Sequence, residues 1–334
     1  MAGQKNSKLK LLYLKEIFEK YTDEDNILNS SEIADLLLNY GIECERKSVY
    51  KDIDILIDYG MDIIKTRTPK NGFFLASRDF EAAEVRLLTD AVQAADFISV
   101  RKTRLLLQKI EKFISAKQAA KLRRQVYIDN RHKCSNEEIY YNIDALDNAI
   151  KSSHKVRLHY VRRKLDQKFA AQTEVKEFVL SPYALIWSND HYYLVANNAK
   201  YDNLMNMRID RIRNVEILEE TARHFSEVSS YKTGFDAADY ASKVFNMFSG
   251  KPQSTELKCS IDIIEEIIDR FGENVTLRKA KDGWFSLREE MSVNDGLVSW
   301  IMQFGEKIEV VYPAELRRMV REKAETIADM YKER

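Results

Sequence analysis

Three times between residues 14 and 57, apolar side chains recur at helical spacing, and each run is short. Leu14, Ile17, Phe18 and Tyr21 fall at i, i+3, i+4 and i+7. Ile33, Leu36, Leu37 and Tyr40 repeat the pattern, and Val49, Ile53, Leu56 and Ile57 form a third stripe. A stripe of that width gives a helix one face to bury. Asn29-Ser30-Ser31 supplies capping oxygens before the second run. Gly41 and Gly60 stand where the second and third runs must stop.

Beyond Gly60 the period changes. Met61 to Arg67 and Phe73 to Ala76 lean towards strand, with Pro69-Lys70-Asn71-Gly72 between them. Asn-Gly is a strong signal for a tight hairpin turn. Three helices followed by a hairpin are the layout of a winged helix-turn-helix, which is assigned to residues 1–78. Residues 79–139 form a helical connector. Val85, Leu88, Val92 and Ala95 give one of its stripes and Leu106, Ile110 and Phe113 another, so it can also serve as a helix-pairing surface.

Residues 140–222 open with a short helix (Ile143, Leu146, Ile150) and then become β-rich. The runs are Lys155 to Val161, Glu177 to Tyr183, His191 to Ala196, Asn206 to Asp210 and Val215 to Leu218. Several short strands at close spacing predict a small barrel, with Ser188-Asn189-Asp190 as one of its turns. Residues 223–252 read as a mixed linker whose aromatic cluster, Phe235, Tyr240, Phe245 and Phe248, should pack. Residues 253–334 give the order βαββαβ, with Asp282-Gly283 as a strand turn, which is ferredoxin-like. The fold class is α+β, multidomain.

Composition narrows the functions. The 334 residues hold 53 Lys plus Arg and 53 Asp plus Glu, so no polybasic coat covers the whole surface. Charge by segment is equally even. Residues 1–78 carry 12 basic and 13 acidic side chains, and residues 79–139 carry 12 and 9. A local basic site remains open, because recognition depends on where the charges lie. Cys44, Cys134 and Cys259 have neither metal-ligand nor CxxC spacing. No segment approaches the ~20 apolar residues of a membrane span, and a cytoplasmic protein with reduced thiols is expected.

In a helix-turn-helix the second helix of the motif enters the major groove with its N-terminal end foremost. Here that helix starts at Arg46-Lys47-Ser48. With Val49, Ile53 and Leu56 turned inward, Arg46, Lys47, Tyr50 and Lys51 can face a duplex near its start. Arg and Lys suit guanine O6 and N7, and Ser48 suits a phosphate or a base. Lys65, Arg67 and Lys70 of the hairpin can touch phosphate. Asp52, Asp54 and Asp58 are expected to face away or to pair with basic neighbours.

The run SEIADLLLNYGIECERKSVYKDIDILIDYG, from Ser31 to Gly60, resembles the winged helix of DeoR-type regulators. Ser48 stands where that family has Thr, Lys51 where it has Arg, and Glu45 where a capping Ser is common. FVLSPYALIWSNDHYYLVA followed by NMRIDRI resembles a WYL domain, with the name-giving triad at Tyr192, Tyr193 and Leu194 and Tyr in place of its Trp. VNDGLVSWIMQFGEKIEVVYPAEL is similar to the C-terminal extension that often follows such domains. Together the three cover nearly the whole chain. The resemblance implies a WYL-domain transcriptional regulator whose Sm-like or SH3-like barrel senses a ligand, with nucleotides or single-stranded nucleic acid as the recurrent class. Tyr160, Ser181, Tyr193, Arg208 and Arg211 map onto that family's barrel motifs. Arginine forks suit phosphate, and the tyrosines with His191 offer stacking faces for bases. On a continuous strand Arg208 and Arg211 would point to opposite faces, so a shared site requires a bend near Asp210. A second basic cluster is Arg157, Arg162, Arg163 and Lys164 around His159.

GxGxxG, phosphate-loop, HExxH and GxSxG motifs are absent. Arg131-His132-Lys133-Cys134 places His beside Cys without implying a nucleophile. The expectation is a non-enzymatic, ligand-responsive DNA-binding regulator, a homodimer acting on a double-stranded operator, without cofactor or metal. The alternative is an accessory module that binds RNA or protein through the barrel without operator-specific DNA binding.

Overall fold

The computed structural model describes residues 2–125, 133–166, 169–281 and 283–332. Arg131, His132 and Asp282, named above, lie outside the described residues. Chain contacts divide the protein into two units, residues 1–135 and 136–334.

The first unit begins with α1 (Ala2–Tyr21), α2 (Ser30–Asn39) and α3 (Arg46–Asp58). The three stripes do converge: Leu14, Ile17, Phe18, Ile33, Leu37, Val49 and Ile53 are buried in one core. Asn29 caps α2 by accepting from the backbone N–H of Ser31 and Glu32, while Glu32 accepts from the Asn29 N–H at 2.8 Å, a reciprocal capping box. Gly41 follows α2 at φ +75°, a conformation that costs glycine little. At the end of α1, Arg78 donates to the carbonyl of Glu19 at 2.8 Å and to that of Thr22, supplying a cation where helix carbonyls run out of partners.

The hairpin is β1 (Ile63–Thr66) with β2 (Gly72–Leu75). Its connection differs from the tight Asn-Gly turn expected. Thr66 pairs with Gly72, leaving residues 67–71 as a wider loop. Gly72 serves a different need. Leu28 exchanges backbone hydrogen bonds with Phe73, adding a third extended segment. That segment passes so close that a Cβ on residue 72 would lie 2.5 Å from the Leu28 carbonyl oxygen. Then come α4 (Ala82–Ala94), α5 (Val100–Ile110) and α6 (Ala116–Gln125), with Val85, Ile110, Ile114, Ala119 and Leu122 as their core.

The second unit opens with α7 (Ile139–Ser152). Five strands follow: β3 (His154–Leu165), β4 (Ala171–Ser188), β5 (His191–Asn197), β6 (Leu204–Arg208) and β7 (Ile212–Thr221). They form one antiparallel sheet in the order β6-β5-β4-β3-β7. The expected barrel is therefore not closed by hydrogen bonds. The edge strands β6 and β7 are joined by a 3-10 turn, Ile209–Arg211, and share no ladder. The long β4 pairs with β3 as far as Leu180 and with β5 from Ser181 on, and its ladder with β5 carries a register shift between Pro182 and Ala184, as a bulged strand bends.

Residues 223–252 are packed against their neighbours rather than spanning freely. After α8 (Ala237–Lys243), Tyr240 is buried beside Val195 and Leu204 and donates its hydroxyl to Asn206 Oδ1 at 3.1 Å. Phe245 joins the core that follows, whereas Phe248 stays exposed. That core belongs to β8 (Lys251–Ser260), α9 (Ile264–Phe271), β9 (Leu277–Lys279), β10 (Trp284–Val293), α10 (Asp295–Met302), β11 (Ile308–Tyr312) and α11 (Ala314–Met330). Its sheet is antiparallel in the order β11-β8-β10-β9, that is, fourth, first, third, second. Among the described residues no helix is long and apolar enough to cross a membrane, and no group of His, Cys, Asp and Glu could hold a metal ion.

Because the Leu28 backbone fills the place of a side chain at residue 72, Gly72→Ala is expected to lower stability by about 1–3 kcal/mol, the usual range for overpacking. The midpoint of thermal unfolding measures it. An unchanged midpoint would show that the Leu28 segment can move aside freely.

Candidate nucleic-acid interfaces

The first candidate surface is the start of α3. Val49, Ile53 and Leu56 are buried, so the helical period turns Lys47, Tyr50, Lys51, Asp54, Ile55 and Asp58 outward. That face is not uniform. Its first turn and a half carries two lysines and a tyrosine, and its second half carries two aspartates with Ile55, 47% exposed. Lys47, Lys51 and, on the hairpin, Arg67 are exposed. Arg46 donates to Ser31 Oγ at 3.0 Å and remains exposed. Lys65 reaches over the Tyr50 ring at 5.4 Å, and Tyr50 meets Phe73 edge-on at 5.5 Å, a cation–π arrangement that tethers the hairpin to α3.

Two of the expected contacts are engaged elsewhere. The Ser48 hydroxyl is turned towards the Lys10 ammonium, which also pairs with Asp52. Residues 48 and 52 share the helix face that meets α1, so Ser48 helps to seat the helix and does not face a duplex. Lys70 pairs with Glu32 at 2.5 Å. That hydrogen bond, with the one from the Asn29 backbone, holds the Glu32 carboxyl below its ordinary range. The capping box is therefore intact at neutral pH and weakens as acid protonates Glu32.

The second candidate surface surrounds the turn between β6 and β7. β6 ends at Arg208, and Ile209 is fully buried within the 3-10 turn. The chain therefore bends near Asp210, the condition for Arg208 and Arg211 to share a site. The turn is held from below. Asn136 donates to the carbonyls of Asp210 at 3.3 Å and Ile212 at 3.0 Å, Asn142 on α7 donates to Ile212 at 2.9 Å, and Arg213 donates to both. Tyr193 lies opposite Arg208 in the ladder, and Tyr160 lies opposite Ile212. Burial raises the Tyr193 hydroxyl above its ordinary range; Arg208 and Arg211 oppose that shift, while Asp210 and Tyr160 add to it. Five of these polar side chains therefore share one electrostatic neighbourhood. Arg162 lies over the Tyr160 ring at 5.5 Å and brings a third guanidinium, but that ring is 6% exposed and packs edge-on against Phe178, so Tyr160 backs the cluster and does not offer the stacking face expected of it.

Asp210 answers Arg208 directly. Nε and Nη2 of the guanidinium donate to its two carboxylate oxygens at 3.0 and 2.8 Å. Burial works to lower the Arg208 pKa, but these bonds and the Asp210 charge leave it raised. The fork expected to grip phosphate with two bonds thus holds Asp210 in this state, with Nη1 remaining.

Comparison with known proteins agrees with this sheet and with the one after it. Residues 141–217 match the family model described as WYL domain, and residues 251–328 match the one described as WCX domain. The chain carries a WYL domain followed by a WCX domain. Among curated proteins no relative matches. One similar solved structure is proteasome accessory factor B/C (PafBC) of Arthrobacter aurescens, at 17% identity and a TM-score of 0.27, covering 97% of this chain and 49% of that one. The chain thus spans about half the length of that structure. Another is a CRISPR Cas-related protein, at 15% identity and a TM-score of 0.37, covering 76% of this chain and 75% of that one.

Within the WYL domain the remaining predicted residues separate. His191 stands at the start of β5 with its ring 6.3 Å from Tyr193, and its Nδ1 lies 2.8 Å from the Asp190 carbonyl. Ser181 pairs with Asn197 at the other end of that strand, is 3% exposed and accepts from the Arg223 N–H at 2.9 Å. It pins the chain after β7 and takes no part in the tyrosine–arginine cluster. Tyr192 is half-buried opposite Trp187, with ring centroids 6.4 Å apart. The second basic cluster also divides. Arg157 pairs with Glu216 at 2.6 Å and Lys164 with Glu174 at 2.9 Å, so of those cations Arg162 is the one that joins the tyrosines. Asn136 and Asn142 carried no sequence signal; only their burial marks them.

Lys10→Met would strand a largely buried Asp52 carboxylate and is expected to cost about 3 kcal/mol of stability. The Lys10→Met, Asp52→Leu double variant should recover most of it in the same chemical-denaturation measurement. Equal losses in both would show that packing, not charge, sets the effect.

Proposed function

We propose that this chain is a ligand-responsive, DNA-binding transcriptional regulator whose WYL domain senses a nucleotide or single-stranded nucleic acid, and that it acts as a homodimer. The observation that carries the reading is the turn at residues 209–211. It follows Arg208, which lies opposite the half-buried Tyr193 in the ladder, and it carries the exposed Arg211, while Arg162 lies over the ring of the buried Tyr160, so three cations and one accessible ring come from neighbouring strands. Phosphates and bases call for that pair of chemistries, each stacked base contributing about 1–3 kcal/mol.

The finer fold assignments belong to the same reading. Helices α1 to α3 with a hairpin and the Leu28 strand favour a winged helix-turn-helix. The strand order β6-β5-β4-β3-β7, with a 3-10 turn between its edges, favours an Sm-like or SH3-like fold. The order fourth-first-third-second of β8 to β11 favours a ferredoxin-like one. In the head, Lys47 and Lys51 would read or hold the duplex with Arg46, Tyr50, Lys65 and Arg67 around them. The second half of α3, with Asp54, Ile55 and Asp58 outward, repels phosphate. That limits contact to the leading end and leaves each head with few cations. Tight operator binding then depends on two heads acting together. Ligand binding changes operator affinity by no more than the ligand's differential affinity for the two DNA-binding states.

Fluorescence anisotropy with a labelled duplex from the chain's own promoter region, with and without a single-stranded oligonucleotide, tests this. The oligonucleotide should change the duplex affinity of the parent. Arg208→Ala should retain duplex binding and lose that response. Lys47→Ala should weaken duplex binding at every oligonucleotide level and lower the salt slope by about 0.9 per protomer. Single-strand binding without duplex preference would instead favour the second reading, an RNA- or protein-binding accessory module, which the acidic half of α3 supports.

A further inference from the structure

Strand β11 forms one edge of the WCX sheet. It pairs with β8 and, among the described residues, with no other strand, so its outer edge keeps backbone groups outside any ladder. Ile308 and Val310 are buried and Glu309 between them is exposed, as alternation along a strand requires. All three nevertheless line one groove of about 480 Å³, together with side chains of α11. A groove that touches residues pointing to both faces of a sheet runs along the edge of the strand. One wall is therefore an open β edge and the other a helix.

The helix wall is cationic. Arg317, Arg318 and Arg321 line the groove and are exposed. At 3.6 residues per turn they fall within a band about 100° wide. Val320, half-buried, continues the apolar floor laid by Ile308 and Val310. Of the lining side chains Glu309 alone is acidic, and it is already held by Arg317 at 3.0 Å and by Lys258 at 3.7 Å. Arg317 also donates to the Val310 carbonyl at 2.6 Å and so belongs to the wall itself. That carbonyl, turned towards the helix, retains a second lone pair. Arg318 and Arg321 pair only with Glu322 and Glu325 of their own helix, at 3.7 and 3.8 Å and exposed on both sides. Such pairs contribute little, so a carboxylate entering the groove displaces them at small cost.

An extended peptide suits both walls at once. Its backbone can add a strand to β11, while alternate side chains turn towards the apolar floor and towards the arginines. A nucleic-acid strand can use the arginines but has no backbone that continues a β ladder. We infer that this groove binds an extended segment of another protein, in which acidic side chains alternate with apolar ones.

Fluorescence anisotropy on the full chain tests it with a short labelled peptide of alternating Glu and Val. The parent should bind that peptide about tenfold or more tightly than the same peptide with Lys for Glu. A peptide with Pro for its central Val lacks a backbone N–H and should bind weakly by a similar factor. The double variant Arg318→Glu, Arg321→Glu should reverse the first preference and take the Lys peptide over the Glu peptide, a gain that misfolding does not produce. A parent that binds neither peptide, or that binds the Pro peptide as well as the Glu peptide, would overturn the inference. So would a double variant with unchanged peptide preference that has lost self-association in sedimentation velocity, which gives the groove to a second copy. A double variant with unchanged peptide preference and weakened binding of a single-stranded oligonucleotide gives it to nucleic acid and overturns it equally.

Discussion

Where the chain turns between β6 and β7, the carbonyl groups of Asp210 and Ile212 accept hydrogen bonds from side chains. Four side-chain hydrogen bonds, from Asn136, Asn142 and Arg213, satisfy them at 2.8–3.0 Å, with a longer one from Asn136 at 3.3 Å. A backbone carbonyl buried without such a partner would cost of the order of 1–3 kcal/mol, and the turn would relax towards a straight strand. A straight strand would send Arg208 and Arg211 to opposite faces. The course of the chain at this surface therefore depends on two asparagines, Asn136 and Asn142, that hold its backbone. Ile209, fully buried, anchors the same turn from its apolar side.

Asp210 sets the character of that surface. It holds Arg208 through two hydrogen bonds, so an anion that arrives exchanges one carboxylate partner for another. Such an exchange between anionic partners gains little by itself. On the proposed reading, net affinity must come from other groups: Arg211, Arg162 and the half-buried ring of Tyr193, because the Tyr160 ring is 6% exposed and offers no open face. A small inorganic anion can use only the charges. A ligand with a base attached could use the half-buried ring of Tyr193 as well, so the proposed site would favour flat anions over simple ones.

Much of this layout was legible in the sequence, and where it failed the reason is physical. The three apolar stripes of the first unit placed α1 to α3 because each helix buries one face against the other two, and that leaves a periodic record. The two-residue alternation of a strand made a bend near Asp210 the condition for a shared arginine site, and a 3-10 turn stands there. The Asn-Gly turn misled because Gly72 is required for a contact with Leu28, some 44 positions away, which no local pattern encodes. Ser48 misled for a similar reason. It lies at the edge of the outward face, and only the burial of Lys10 against it, from another helix, decides where the hydroxyl points. Closure of the sheet was illegible because strand periodicity fixes which residues face inward and says nothing of whether two edge strands meet.

The distribution of charge along α3 bears on how such a head can work. Each lysine at its leading end that meets a phosphate releases a counterion, whereas Asp54 and Asp58 a turn or two later would hold phosphate off. A helix of this kind cannot lie along a groove over its whole length; it can only enter it end-on. On the proposed reading, end-on contact would give few ionic contacts per head, so a single head would bind weakly and the spacing between two heads would govern the total. Regulation of such a proposed dimer would need no change within the head. A modest shift in how two heads are spaced changes whether both can engage at once, and the steep dependence of paired binding on that geometry converts a small displacement into a large change in occupancy.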